Sequence, residues 1–176
     1  MAIKLSSPLT IVFLILVIQE TILFSARADM QFIENICKST PSYDLCIKTV
    51  LADPKSKDAD LTDLALIVVN ALKELGINDI NYIKGLENDH PELKVPLDYC
   101  ADVYNTVVTT DVPLAVTALT QGNPKFGEDG VADAAVEGQA CEDTFGQYGH
   151  ASPMTDVNKN MEDLANVARA MIRMLL

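Results

Sequence analysis

The sequence predicts an all-α fold: an up-down-up-down four-helix bundle preceded by an N-terminal α-hairpin and cross-linked by two disulfides. Three observations predict it. Apolar residues recur at three- and four-residue steps over long stretches, with no convincing run of period-two alternation. Short connections bearing Pro or Gly separate those stretches. The cysteines number four and all lie beyond residue 28, an even count behind an export signal.

That signal comes first. Lys4 supplies a positive start, residues 9–18 are almost entirely apolar, and Ala26-Arg27-Ala28 is a small-x-small cleavage site. The apolar run is too short to span a bilayer and is broken by Gln19-Glu20. Residues 1–28 are therefore expected to be a secretory signal peptide and residues 29–176 one exported domain. Phe32, Ile33 and Ile36 then have helical spacing. Thr40-Pro41 reads as an N-cap with Pro at the first helical position, opening a second short helix through Tyr43, Cys46, Ile47 and Val50. Together these make the hairpin. A polar linker, Ala52 to Lys57, leads to the first long helix, with Leu61, Leu64, Ala65, Val68, Leu72 and Leu75 on one face. Its period runs on past Gly76 through Ile80, Ile83 and Leu86, one long helix unless Gly76 breaks it, and Asp89-His90-Pro91 ends it. The second long helix carries Leu97, Cys100, Tyr104, Val107, Leu114 and Ala118, with a kink expected at Pro113. Its β-branched run, residues 106–110, is the only strand-like stretch and lies within a helical period. Gln121 to Gly130 follows as a ten-residue break, because three glycines and Pro124 oppose a continuous helix. Val131, Ala134, Ala135, Gly138, Cys141 and Phe145 mark the third long helix. Ser152-Pro153 repeats the cap-then-proline signal before the last, whose seam is Val157, Met161, Leu164, Ala168, Met171 and Leu175.

Charge excludes several functions. The formal net charge is −12. Without Lys4, Arg27 and Glu20 the remaining chain has 11 basic and 24 acidic residues, a net −13. Nucleic acid is not an expected partner, since phosphate contact needs clustered Lys and Arg. Nor is a membrane expected to bind residues 29–176, which lack a polybasic patch. The cysteines allow three pairings; joining Cys37 to Cys46 would close a short loop and leave Cys100 with Cys141. Zinc is disfavoured because there is no Cys-x-x-Cys and only two His. No Asn-x-Ser/Thr sequon occurs after residue 28.

Catalytic groups are hard to find. His90 and His150, the only histidines, fall in polar connections and read as solvated. Glu142-Asp143 and Glu162-Asp163 are adjacent pairs, which point about 100° apart on a helix and read as solvated faces. Di-iron bundles need inward Glu-x-x-His pairs, absent here. Tyr99, Tyr104 and Tyr148 suit core packing with a bonded hydroxyl better than a ligand cavity, and Met161, Met171 and Met174 suit core filling. No catalytic residue, cofactor or metal site is expected; the protein reads as a binding protein. The odd feature is Lys125-Phe126 in the middle of the break, a cation and a large ring at the tip of a connector.

The chain resembles the plant invertase inhibitor and pectin methylesterase inhibitor family over essentially all of residues 29–176. The resemblance rests on Cys37 and Cys46 with eight residues between, Ala52-Asp53-Pro54-Lys55-Ser56 with Ala59-Asp60-Leu61, and Cys100-Ala-Asp-Val-Tyr104. It continues in Ala140-Cys141-Glu142-Asp143-Thr144-Phe145 and Ser152-Pro153-Met154-Thr155. It implies the bundle-plus-hairpin fold and disulfides Cys37–Cys46 and Cys100–Cys141. Invertase inhibitors resemble one another in a Pro-Lys-Phe motif that plugs the enzyme's active site, and Pro124-Lys125-Phe126 stands at that place. The resemblance thus implies a one-to-one complex with an acid invertase (β-fructofuranosidase) in the cell wall or vacuole, with Pro124, Lys125 and Phe126 as the target-binding residues. The alternative is a pectin methylesterase inhibitor, which binds through a helical face; that branch commonly has Thr before the fourth cysteine, where this chain has Ala140. A second alternative is a non-inhibitory protein on the same bundle, because the Asp53–Ser56 linker also resembles pollen allergens of the family.

Overall fold

In the computed structural model residues 30–176 are described. The expected signal peptide and its junction with residue 29 lie outside them. A helix over residues 30–38 (α1) and Tyr43–Ala52 (α2) form the hairpin, followed by a 3-10 turn, Pro54–Asp58. The four long helices are Leu61–Asp89 (α3); Lys94–Thr106 (α4) continuing through a π-helical turn, Val107–Asp111, into Val112–Thr120 (α5); Pro124–Gln147 (α6); and Thr155–Arg173 (α7). Each long helix packs on the next, and α3 closes the ring against α7, as an up-down-up-down bundle requires. The hairpin docks on α3 and α7. No strand occurs among the described residues.

The termini follow local chemistry. Asp60 opens α3 with a capping box: its carboxylate accepts the Asp63 N–H at 2.9 Å, and Asp63 accepts the Asp60 N–H in return. Gly76 does not break the helix. Its missing side chain makes room for Val108, since a Cβ there would lie 2.9 Å from Val108 Cγ2. The two Ser/Thr-Pro pairs stand two residues further from their helices than the sequence suggests. The first helix turn begins at Tyr43 behind Ser42, not at Pro41, and Ser152 accepts the Met154 N–H ahead of Thr155. Ser152 builds the turn that enters its helix, whereas the Thr40 hydroxyl donates back to Cys37 O at 2.7 Å and closes the end of α1.

Pro113 acts through the turn before it. Lacking an N–H and colliding with the carbonyl four residues back, it is accommodated by widening the helix: the Val112 N–H reaches Val107 O, a five-residue step. The extra residue shifts the phase beyond it. Leu114, predicted on the buried face, is exposed, whereas Ala118, predicted with it, is buried alongside Val112, Ala115 and Leu119. Phe32 is also exposed, Ile33 taking the core position of α1. The remaining faces hold: Leu64, Val68 and Leu72 of α3, Leu97 and Tyr104 of α4, Phe145 of α6, and Met161 and Met171 of α7 form one continuous core. Each such side chain stabilises the fold by roughly 1.5–3 kcal/mol through burial.

Both disulfides have the pairing the resemblance implies. Cys37–Cys46 clips the hairpin and Cys100–Cys141 joins α4 to α6, all four residues being fully buried.

Candidate target-binding site

The break between α5 and α6 is three residues long, not ten. Gly122, at φ +72°, lets its own N–H donate to Leu119 O and the Asn123 N–H to Ala118 O at 2.8 Å. That Schellman arrangement ends α5. Pro124 then starts α6 at once, where its missing N–H costs nothing. Pro124, Lys125 and Phe126 are thus the first turn of a helix rather than a loop.

Gly127 and Gly130 lie inside α6 and serve close packing. A Cβ on Gly127 would come within 3.1 Å of Leu119 Cγ, and one on Gly130 within 2.7 Å of Asp111 O. The glycines that suggested a chain break instead seat the turn against the end of α5 and the π-helical segment.

Phe126 is 61% exposed. Lys125 is also exposed, and its ammonium donates to Glu128 Oε2 and Asp129 Oδ1, both at 3.0 Å. Those hydrogen bonds hold its pKa above the ordinary lysine value. Glu128 is the centre of this end of the bundle. Only 5% exposed, it accepts Lys125 on one oxygen and Arg169 Nε–H (3.2 Å) and Arg173 Nε–H (2.7 Å) on the other. Lys125, then Arg173 and Arg169, hold its carboxyl down at about 2. The turn is thereby tied to α7 on one side and packed on α5 on the other.

Glu128, Arg169 and Arg173 were not singled out in the sequence. A signal existed: Lys125 has carboxylates three and four residues on, and the only arginines beyond residue 28 stand four apart. Their convergence on one carboxylate is a tertiary fact.

The other candidates divide. His90 and His150 are exposed in connections, as expected. Glu142, expected on a solvated face, is not: it accepts Asn158 Nδ2–H and the Thr155 hydroxyl, each at 2.7 Å, and Asn158 in turn accepts the buried Tyr104 hydroxyl at 3.0 Å. Tyr104 is a core residue with a bonded hydroxyl, whereas Tyr99 and Tyr148 are exposed, and Met174 is partly exposed while Met161 and Met171 fill the core. Among the described residues no group of three His, Cys, Asp or Glu is placed to hold a metal, and no helix is long and apolar enough to cross a membrane.

Similarity to known proteins agrees with this architecture. The chain is 44% identical over 138 residues to the cell wall / vacuolar inhibitor of fructosidase 1 of Arabidopsis thaliana; the match covers 78% of this chain and 66% of that protein, just under two thirds. It is 26% identical over 156 residues to the pectinesterase inhibitor of Actinidia deliciosa, covering 86% and 83%. The fold matches the crystal structure of mutant form A of a pectin methylesterase inhibitor from Arabidopsis with a TM-score of 0.67 at 18% identity, over 82% of this chain and 97% of that one. Residues 31–171 match the family described as plant invertase/pectin methylesterase inhibitor, and the chain belongs to that family of inhibitors.

Proposed function

We propose that the protein is an exported inhibitor of an acid invertase, binding one-to-one and entering the sucrose site with Pro124, Lys125 and Phe126. Residues 1–28 direct export and are removed, and residues 29–176 act in the cell wall or vacuole. The observation that carries the reading is the presentation of Lys125 beside an exposed Phe126 on a helical turn held from two sides. The similarity to an inhibitor of fructosidase supports the same target.

The chemistry suits it. Glycoside hydrolysis of this kind uses two carboxylates, and an ammonium brought between them in a water-poor site makes a charge-assisted pair. Phe126 offers a ring for the shelf that binds sugar. On insertion Lys125 gives up an exposed pair with Asp129, worth about 0–1 kcal/mol, and its bond to the buried Glu128, whose charge stays matched by both arginines. Because the turn is already helical and anchored, little conformational entropy is lost on binding.

The test is inhibition of purified acid invertase and of pectin methylesterase by residues 29–176. Inhibition of invertase supports the reading. Activity against the esterase alone contradicts it, and activity against neither favours a non-inhibitory role for the bundle.

A further inference from the structure

The cations around Glu128 reach further than the turn they anchor. Arg169 and Arg173, one helical turn apart on α7, line a cleft of about 600 Å³. Its opposite wall is the hairpin turn with Ser39, Pro41 and Ser42. Each guanidinium uses only its Nε–H on Glu128; its four other N–H groups meet no acceptor among the described residues. Asp163, the carboxylate lining the cleft, is already paired with Lys159 at 2.8 Å. The cleft is therefore a local exception to the net −13 of residues 29–176, holding both arginines of that span.

The cleft also adjoins the turn, because one carboxylate, Glu128, accepts Lys125 on one oxygen and both cleft arginines on the other. Size demands such a neighbour. Three residues bury on the order of a few hundred Å², whereas a stable complex buries about 800 Å² on each partner.

We propose that this cleft is a second anchor for the enzyme engaged by Pro124–Phe126, taking a carboxylate side chain from an acidic segment at the rim of that enzyme's active site. The proposal rests on the active-site reading above. Arg is suited to the role, because its planar fork matches a carboxylate and forms paired hydrogen bonds.

Ser42→Glu tests it. Ser42 lines the wall facing the arginines, and its side chain makes no capping bond. A glutamate there occupies the guanidiniums in cis and leaves Pro124–Phe126 unaltered. The inhibition constant for the invertase is expected to rise about tenfold at low ionic strength, and less at high salt where the pair is screened. Ser42→Gln, equal in size but neutral, is expected to stay within about twofold of the parent. The exposed Ser39→Glu on the same wall repeats the test should Ser42→Glu not fold. Unchanged inhibition by the folded glutamate variant, or equal weakening by Glu and Gln, overturns the second anchor. Failure of the parent protein to inhibit invertase is a separate result, which removes the active-site reading itself.

Discussion

Glu128 carries more of the site than its exposed neighbours suggest. Lys125 and Phe126 could be picked out from the sequence because a cation and a ring are conspicuous in a glycine-rich connector. Glu128 could not, because two of its three partners come from 41 and 45 residues away. Glu128→Gln keeps the volume and removes the charge on which Lys125, Arg169 and Arg173 converge. It is expected to weaken invertase inhibition about five- to tenfold, since Lys125 then loses its fixed direction, and to lower the melting temperature. Inhibition assays and thermal melts on one preparation check both. The pH response follows from the sign of the shift. A carboxyl lowered from 4.5 to about 2 contributes stability that is complete above its unfolded value and lost only as pH falls toward 2. NMR titration of the Glu128 carboxyl should show it ionised at pH 4. Loss of inhibition between pH 5 and 3 would then originate in the enzyme's carboxylates meeting Lys125.

At the scale of elements, helix existence was legible and helix ends were not. The three- and four-residue period of α3 and α7 survives in the buried faces because nothing interrupts it. The α4–α5 helix loses its phase at the π-helical turn, a consequence of how the chain relieves the Pro113 clash, and no periodicity count contains that. The sequence places the start of α6 too late because glycine has two uses. Gly122 supplies a left-handed φ, whereas Gly127 and Gly130 supply closeness between helices. Substitution separates these uses. Gly130→Ala should destabilise by about 1–3 kcal/mol, because its Cβ meets the backbone of Asp111, which cannot move aside as a side chain can. Gly146→Ala, in the same helix with open space around its would-be Cβ, should stabilise by about 0.5–1 kcal/mol. Denaturant midpoints of the two variants check the contrast; equal effects would show that the crossing of α5 and α6 is looser than described.

At the scale of the whole molecule, two buried acids make stability depend on pH. Asp79 and Asp111 each have an oxygen without a hydrogen-bond partner, and burial pushes their pKa values to about 7 and about 6; Glu137 and Asp133 add to the second. A carboxyl raised in the folded state keeps its proton where the unfolded chain has lost it. Stability therefore falls as pH rises from about 4 to about 7, by on the order of 4 kcal/mol for Asp79 at 1.36 kcal/mol per pKa unit. Melting should occur several degrees higher at pH 5 than at pH 7.5, and the Asp79→Asn/Asp111→Asn pair should flatten that slope. Such a bias suits an acidic compartment, in keeping with the proposed wall or vacuolar location. The Cys100–Cys141 bridge ties the neighbouring helices α4 and α6, and its removal as a Ser pair should cost roughly 4 kcal/mol in the chain-entropy account. These properties concern the scaffold; the central claim concerns what its exposed turn enters. The most direct test is the inhibition constant of residues 29–176 and of their Lys125→Glu variant against a purified acid invertase. Tight inhibition by the parent, with at least a hundredfold loss in a variant whose melting temperature stays close to that of the parent, is the predicted result; undiminished inhibition by that variant would contradict the account.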